Sequence, residues 1–417
     1  MDFTFFLRLK FDILFFLKKI IRLEVIKKIM KKVFLSLFAI FLFVNLFSQQ
    51  QINKTLFFDG ENRNYIVYVP ASYNGSVSYP MLFSFHGGGG TSNYHLNNVN
   101  DMRSIADTAN FIAVYPQGAL DINGADPGTT PSTSWLHKIP TSHNDVNFIS
   151  AIIDTLSNEY SIDLQRIYAC GYSEGGIFSY ELGCRLNNKI AAFASVSGSM
   201  LTDSYRSDYG FGLCTPTHPT AVMLIPGTSD GNFHSTYSGF QPYYMSVSEI
   251  TNYWSDYNNT DLNPIITPIA NISMNDGSTV EQREWINGTS CVSVIEMKVN
   301  GGDHDWPGSF GNMDISASAE IWNFVSKYDI NGLINCPTNV ISTSDLEIKI
   351  FPNPTSDFIT INSLDKGNLS YSVFSIIGKM VMNGNINTSN PKINISNLEP
   401  QLYILMIDGS SYKIIKK

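Results

Sequence analysis

The sequence has little charge and few cysteines. Only 15% of its 417 residues are Asp, Glu, Lys or Arg, and its five cysteines form no Cys-x-x-Cys pair. That spacing excludes the common zinc-ribbon and thioredoxin-like motifs. The longest glycine run lacks the Lys-Ser/Thr of a P-loop, and no carboxylate and histidine cluster has metal-ligand spacing. We therefore expect no cofactor and no metal.

The charges that are present are unevenly distributed. Residues 1–48 hold nine of the 27 basic residues and three of the 36 acidic ones, so the rest of the chain carries 18 basic and 33 acidic residues. An acidic body without a basic stripe repels nucleic acid phosphates. We expect no nucleic acid partner.

The N-terminal region contains a short basic segment followed by an apolar run. Lys31 and Lys32 precede the run Val33–Phe47, which ends at Ser48. This order is typical of a signal peptide, and the run is shorter than a bilayer span needs. We predict that residues 1–48 are leader and signal peptide, with Met30 as the true start. A membrane-associated amphipathic leader is the alternative, and both imply a secreted or cell-surface protein.

Export permits disulfides, and five cysteines leave at least one thiol free. We expect a bridge between Cys184 and Cys214, and we expect Cys170, which lies inside an apolar run, to be a buried small residue.

Residues 50–330 have the pattern of an α/β domain. A hairpin opens it, and buried strands then alternate with helices, which predicts a mainly parallel sheet with both faces covered. The predicted strands are Thr55–Phe58, Tyr65–Val69, Pro80–Phe85, Phe111–Tyr115, Ile167–Cys170, Ala191–Ser197, Ala221–Ile225 and Ser293–Val299, and the helices are Asp145–Glu159, Gly175–Leu186 and Ile315–Tyr328. Sites in such sheets gather at the carboxyl ends of the strands.

The composition changes after Tyr328. Residues 331–344 form a polar stretch that we interpret as a linker. Residues 345–417 alternate in short strands with turn residues between them, which predicts a small all-β sandwich.

A G-x-S-x-G pattern, Gly171 to Gly175, lies between a predicted strand and a predicted helix. Such a sharp turn exposes the Ser173 hydroxyl to a base, and the backbone N–H of Glu174 then points at a carbonyl under attack. The alternative is that this segment is an ordinary strand-turn-helix corner with no catalytic role. A nucleophilic Ser173 also requires a base and an acid elsewhere in the chain.

Both partners occur at the ends of later strands. Asp230 follows Ala221–Ile225 and His304 follows Ser293–Val299, in the chain order Ser, acid, His. We predict Asp230 and His304 as acid and base. The rival acids Asp303 and Asp305 flank the histidine itself, and the runner-up histidine, His234, lies in the loop of Asp230. His95, His137, His143 and His218 are interpreted as surface or loop residues.

Three further site residues are predicted. The glycine run after Pro80–Phe85 suits the second oxyanion donor, for which we choose the N–H of Gly88. Trp306, beside the base, is a candidate wall of an acyl pocket, with core packing as the alternative. Trp135, in a polar loop, is a weaker candidate for a contact with a sugar or an aromatic group.

Six motifs occur in an order that is typical of one family. They are His86-Gly87-Gly88-Gly89, Tyr115-Pro116-Gln117-Gly118, Asn144-Asp145-Val146, Gly171-Tyr172-Ser173-Glu174-Gly175-Gly176, Gly227-Thr228-Ser229-Asp230 and His304-Asp305-Trp306-Pro307-Gly308. By these motifs, residues 52–330 resemble the secreted polyhydroxybutyrate depolymerase and feruloyl esterase family of α/β-hydrolases. That resemblance implies Ser173 as the nucleophile, His304 as the base and Asp230 as its orienting acid. Gly88, Asn144 and Glu174 depart from the family pattern, and these departures concern the substrate preference and not the triad.

Four segments of the tail carry a second resemblance, namely Ile350–Asp357, Ile376–Lys379, Ile395–Leu398 and Leu402–Leu405. By these segments the tail is similar to the C-terminal sorting domain of type IX secretion cargo. It implies the type IX secretion machinery as a partner. A carbohydrate-binding sandwich is the alternative.

Together these features predict a secreted serine carboxylesterase that acts on an extracellular polymer, with feruloyl or acetyl esters on polysaccharide as the leading substrates. The alternative substrate is polyhydroxyalkanoate, which would make the protein a depolymerase. A serine peptidase is a weaker alternative activity. The alternative outside the enzymes is an inactive surface-binding protein on the same fold.

Overall fold

The computed structural model describes residues 50–121, 132–135, 144–208, 212–336, 349–362, 368–375, 379–387, 391–407 and 410–417, together with scattered helical residues between 15 and 33. It divides into two compact units, Met1–Cys336 and Pro337–Lys417. Residues 34–48 of the predicted signal peptide lie outside the described part of the chain. Among the described residues, no helix combines the length and the hydrophobicity needed to cross a membrane.

The described strands of the first unit are β1 Gln50–Phe58, β2 Glu61–Val69, β3 Tyr79–Phe85, β4 Ile112–Pro116, β5 Ala119–Asp121, β6 Ser132–Ser134, β7 Ile162–Tyr172, β8 Ala192–Val196, β9 Ala221–Ile225, β10 Ile265–Pro268, β11 Thr279–Trp285, β12 Val294–Asn300, β13 Tyr328–Asp329 and β14 Gly332–Leu333. Ten of them form one sheet with the strand order β1-β2-β4-β3-β7-β8-β9-β12-β11-β10. The six strands from β4 to β12 are parallel, and the outer strands on each side are antiparallel.

The strand order places a crevice at β3. The chain passes from β3 to β4 on one side and later returns to β7 on the other side of β3. The connections after β3 and β7 therefore diverge at the carboxyl end of the sheet, and ligands of open α/β sheets bind at such points.

Helices cover both faces of the sheet. Side chains of β3 alternate between two hydrophobic clusters, Phe83 joining the cluster of α3, α4 and α6, and Leu82 joining that of α1, α2 and α7. A strand buried on both faces is apolar throughout, which explains the continuous hydrophobic runs. The helices are α1 Ser92–Asn98, α2 Arg103–Ala109, α3 Asp145–Glu159, α4 Glu174–Arg185, α5 Asp203–Asp208, α6 Val247–Asn258 and α7 Ala317–Val325, with a 3₁₀ turn at Thr289–Cys291.

Most predicted boundaries differ from the structure by one to five residues, and two of the differences have a clear local reason. The closing helix, predicted as Ile315–Tyr328, spans only Ala317–Val325, because Ser316 caps its start and Tyr328 pairs with β14. The strand before Ser173, predicted as Ile167–Cys170, extends over Ile162–Tyr172 and pairs with both β3 and β8.

The second unit consists of two antiparallel sheets, β15-β16-β19 and β18-β17-β20-β21. Both sheets contribute to one hydrophobic core, which includes Ile359 from the first and Leu405 from the second. The strands are β15 Lys349–Phe351, β16 Phe358–Asn362, β17 Asn368–Ser375, β18 Met380–Asn387, β19 Lys392–Asn394, β20 Leu402–Ile407 and β21 Ser410–Ile415. The sequence pattern did not predict β18.

Two disulfides lie in the first unit. Cys184 is bonded to Cys214, as predicted, and Cys170 is buried and free. Cys336 is bonded to Cys291. Residues 331–336 therefore belong to the first unit and not to the predicted linker, whose residues 337–344 lie outside the described part of the chain.

Candidate active site

Ser173 occupies a strained corner between β7 and α4. Its φ is 55° and its ψ is −119°, values that a non-glycine residue holds only when its surroundings impose them. A Cβ on Gly171 would lie 2.2 Å from the carbonyl carbon of Gly175, and a Cβ on Gly175 would lie 2.3 Å from the carbonyl oxygen of Phe85. Both positions of the G-x-S-x-G pattern therefore require glycine for the turn to close.

The three residues predicted as nucleophile, base and acid form one hydrogen-bonded chain. His304 Nε2 lies 2.9 Å from Ser173 Oγ, and His304 Nδ1 lies 2.8 Å from Asp230 Oδ2. The Asp230 side chain is fully buried, whereas 22% of the His304 side chain is exposed. This geometry lets the imidazole take a proton from the hydroxyl while the carboxylate fixes its tautomer.

Neighbouring parallel strands bring Asp230 and His304 together. The loop after β9 carries Asp230 and the loop after β12 carries His304, and backbone bonds join the two loops. Ser229 N donates to Gly302 O at 2.8 Å, and Thr228 N donates to Val299 O at 3.0 Å. Asp230 and His304 are thus held in place by the sheet and by the bonds between their loops.

The rival acids are occupied within the histidine loop. Asp303 Oδ1 accepts from the N–H of His304 at 2.9 Å, and Asp305 Oδ2 accepts from the N–H of Asp303 at 3.1 Å. Burial raises the pKa of Asp305. The Tyr172 hydroxyl donates to His304 O at 2.7 Å and further fixes the loop. Neither rival carboxylate is bonded to the imidazole.

His86 anchors the glycine run beside Ser173. The N–H of Gly118 donates to His86 Nε2 at 2.9 Å, so the proton lies on Nδ1, which donates to Gly87 O at 2.7 Å. Burial lowers the pKa of His86, which favours this neutral form. Gln117 adds a bond from its Nε2 to Gly90 O at 3.3 Å and accepts from Ser92 N at 2.8 Å. The run is therefore a fixed loop.

Gly88 and Glu174 are sterically coupled. A Cβ on Gly88 would lie 2.4 Å from the Cδ of Glu174, which is only 5% exposed. Ser134 Oγ donates to Glu174 Oε2 at 3.3 Å. These two departures from the family pattern thus depend on each other, because a larger residue at 88 leaves no space for the carboxylate.

Gly88, Glu174, Ser173 and His304 line one cleft of about 450 Å³. Its other lining residues are Gly87, Gly89, Ser132, Tyr172, Asn232 and His234. Both predicted oxyanion-hole residues therefore border the space next to the nucleophile.

His234 is the site residue that the sequence ranked too low. Its Nε2 lies 3.3 Å from Ser173 Oγ, and the hydroxyl of the adjacent Ser235 lies 3.1 Å from His304 Nδ1. From the sequence, His234 ranks below His304 as the base because it lies in the loop of Asp230. That same loop brings His234 next to Ser173.

The two predicted substrate-binding tryptophans are buried. Trp306 is fully buried and donates from Nε1 to Ser318 Oγ at 3.2 Å. Trp135 is 1% exposed, stacks on Phe178 at 4.9 Å and donates from Nε1 to His86 O at 2.8 Å. Neither ring lines the cleft, so the prediction of substrate contacts was wrong for both. Trp135 supports the glycine run instead.

His95 is also misassigned by the sequence. It is buried in α1, where its Nε2 lies 2.9 Å from Ser84 Oγ, and burial lowers its pKa well below the usual range. His137 and His143 lie outside the described residues. Within the ranges that the structure describes, no group of three or more His, Cys, Asp or Glu could hold a metal ion.

Comparison with known proteins finds that this chain is similar to several esterases. A bifunctional acetylxylan esterase/xylanase of Neocallimastix patriciarum is 28% identical over 280 residues, which cover 67% of this chain and 35% of that protein. Feruloyl esterase D of Neurospora crassa is 28% identical over 42% of this chain and 55% of its own length. Feruloyl esterase B of Piromyces equi is 24% identical over 64% of this chain and 46% of its own length. The matches thus span about a third to a half of these relatives.

Solved structures with a similar chain path include an acetyl xylan esterase from Aspergillus awamori, with 13% identity and a TM-score of 0.46 over 67% of this chain and 99% of that one. A ferulic acid esterase from Anaeromyces mucronatus in complex with ferulic acid has 17% identity and a TM-score of 0.41 over 67% and 90%.

The second unit matches a family model. Residues 349–417 fit the secretion system C-terminal sorting domain. The chain is therefore similar to feruloyl and acetylxylan esterases over up to about two thirds of its length, and its residues 349–417 match the secretion system C-terminal sorting domain.

Proposed function

We propose that this protein is an exported serine carboxylesterase of the α/β-hydrolase fold that cleaves ester bonds on an extracellular polymer. The observation that carries the proposal is the chain of hydrogen bonds from Ser173 Oγ through His304 to the buried Asp230, at 2.9 and 2.8 Å. An inactive protein would have no evident need for the strained backbone of Ser173.

In the first half of the reaction His304 Nε2 takes the proton of Ser173 as Oγ attacks the ester carbonyl. Asp230 stabilises the imidazolium that forms, and the N–H groups of Gly88 and Glu174 hold the oxyanion. His304 then gives the proton to the departing alcohol, which leaves an acyl-enzyme.

In the second half water replaces the alcohol. The water molecule adds to the acyl carbon while His304 takes one of its protons. His304 then passes this proton to Ser173 Oγ when the C–Oγ bond breaks. The acid is released and the serine is regenerated.

Feruloyl or acetyl esters on polysaccharide are the substrates that the relatives favour, since two of them are named feruloyl esterases and one an acetylxylan esterase/xylanase. Polyhydroxyalkanoate is the second substrate class, supported by the motif resemblance. The C-terminal sorting domain supports export through the type IX machinery, which suits a substrate outside the cell.

Hydrolysis of p-nitrophenyl acetate and methyl ferulate by the purified protein and by its Ser173→Ala variant tests the activity. We expect both esters to be cleaved, and we expect the variant to lose the activity by about 10³-fold or more. Equal rates for the two proteins would refute the esterase proposal and leave the inactive binding protein.

Release of acid from acetylated xylan, feruloylated polysaccharide and polyhydroxybutyrate then distinguishes the substrate classes. We expect release from a polysaccharide ester to be the fastest. Faster release of hydroxybutyrate would assign the protein to the polyester depolymerases.

A further inference from the structure

A second histidine lies against the nucleophile. His234 Nε2 is 3.3 Å from Ser173 Oγ, and its ring stands edge-on to that of His304, with the centroids 5.9 Å apart. His234 is only 8% exposed and lines the cleft. The reaction proposed above uses one imidazole only.

The hydrogen bonds determine where the proton of His234 lies. The Asp230 carboxylate can only accept, so His304 Nδ1 carries a proton and its Nε2 has the lone pair. Ser173 has a single hydroxyl proton, which it donates to that lone pair. Its Oγ can therefore only accept from His234, whose Nε2 must carry the proton.

The loop that places the acid also fixes this second ring. Asn232 N donates to Asp230 Oδ1 at 2.9 Å, and Ser199 N donates to His234 O at 3.1 Å. The Phe233 ring packs edge-on against His234 at 4.9 Å. The imidazole is thus positioned by backbone bonds and by packing.

We propose that His234 is a further catalytic residue, which donates its Nε2–H to Ser173 Oγ and stabilises that oxygen as the leaving group when the acyl-enzyme breaks down. This proposal rests on the proposed esterase function. In this step the C–Oγ electron pair returns to Oγ, and His304 supplies the proton that it took from water. His234 keeps its own proton throughout.

The N–H donor of His234 affects the rates of acylation and deacylation differently. As a nucleophile, Oγ needs an available lone pair, which a donated bond makes less reactive. As a leaving group, Oγ gains negative charge, which the same bond stabilises. Loss of the donor should therefore slow deacylation more than acylation.

The expected size of the effect follows from the length of the bond. A distance of 3.3 Å is long for N–H···O. The effect should then be smaller than the loss of an oxyanion-hole donor, which costs about 10²–10³-fold. We expect deacylation to slow about tenfold, equivalent to ~1.4 kcal/mol.

Two variants separate the donor from the shape of the ring. His234→Phe keeps a planar ring without a donor, whereas His234→Gln keeps an N–H donor without the ring. Stopped-flow hydrolysis of p-nitrophenyl acetate by the full chain measures acylation from the burst and deacylation from the steady state. Titration with a chromogenic phosphonate counts the functional sites, so that misfolded protein does not enter the rates.

We expect His234→Phe to show a larger burst followed by a slower steady state, and His234→Gln to restore most of the deacylation rate. A deacylation rate in His234→Phe within twofold of the wild type would overturn the proposal. An equal loss in both variants would also overturn it, because the donor would then not matter. If Ser173→Ala hydrolysed the ester at the wild-type rate, the proposed esterase function would be refuted as well.

Discussion

The coupling of Gly88 to Glu174 leads to a prediction that the structure makes quantitative. In Gly88→Ala the new Cβ would lie 2.4 to 2.7 Å from the three carboxyl atoms of Glu174, whereas ordinary contacts begin at 3.4 Å. One of the two groups must therefore move by about 1 Å. Glu174 is 5% exposed and accepts a bond from Ser134, so its carboxyl group has little space in which to move.

We expect the backbone of residue 88 to take part of the displacement, which moves its N–H away from the oxyanion. A misplacement of about 1 Å can cost 10²-fold in rate, equivalent to ~2.7 kcal/mol of transition-state stabilisation. Gly88→Ala should therefore lower kcat for methyl ferulate by up to this factor. Glu174→Ala removes the three clashing atoms and keeps the backbone N–H.

The assay is a double-mutant cycle in kcat/KM. We expect the double variant Gly88→Ala/Glu174→Ala to regain the activity of Glu174→Ala alone to within a few-fold. Gly231→Ala, in the loop of Asp230, is the matched control, because a Cβ there has no atom within 4 Å. Strictly additive effects in the cycle would refute the coupling.

Three further predictions concern the acid, a buried histidine and a disulfide. Asp230→Asn should lower kcat by about 10³–10⁴-fold, because the amide favours the wrong imidazole tautomer; Asp303→Asn should retain most of the activity, and the opposite ranking in the same ester assay would exchange the two assignments. Burial lowers the pKa of His95 well below its ordinary value of 6.5, so the unfolded chain binds a proton below about pH 6.5 that the folded chain does not. Stability should fall with acid by up to ~1.4 kcal/mol per pH unit, and melting curves from pH 5 to 7 should show a flatter decline for His95→Gln; an unchanged slope would contradict this. The Cys184–Cys214 bond closes 30 residues, so Cys184→Ser with Cys214→Ser should cost about 3–4 kcal/mol, visible as a lower Tm, while an unchanged Tm would show that the bridge adds no stability.

Much of the fold follows from local patterns. The helix Asp145–Glu159 and the strand Ala221–Ile225 have the bounds that the sequence predicts. The apolar residues of the helix recur at its own period, and those of the strand form one continuous run, so neither depends on distant partners. The edge strand β10 and its neighbour β11 did not stand out, because their side chains are mostly half-buried or exposed and carry no such pattern.

The sequence by itself determined which side chains meet at the sheet edge. Parallel strands end on the same side, so a serine, an acid and a histidine that each follow a strand are brought together whatever their loops do in detail. The strand-end positions of Ser173, Asp230 and His304 therefore predicted that the three side chains meet, and in the structure they form contacts of 2.9 and 2.8 Å.

Only the tertiary structure decided what surrounds these three residues. It buried Trp135 and Trp306 and set the carboxylate of Glu174 against Gly88. It also placed the ring of His234 against Ser173. The physical reason is that such contacts depend on the packing of loops from different parts of the chain to within a few tenths of an ångström, whereas the position of a residue at a strand end depends only on the sheet.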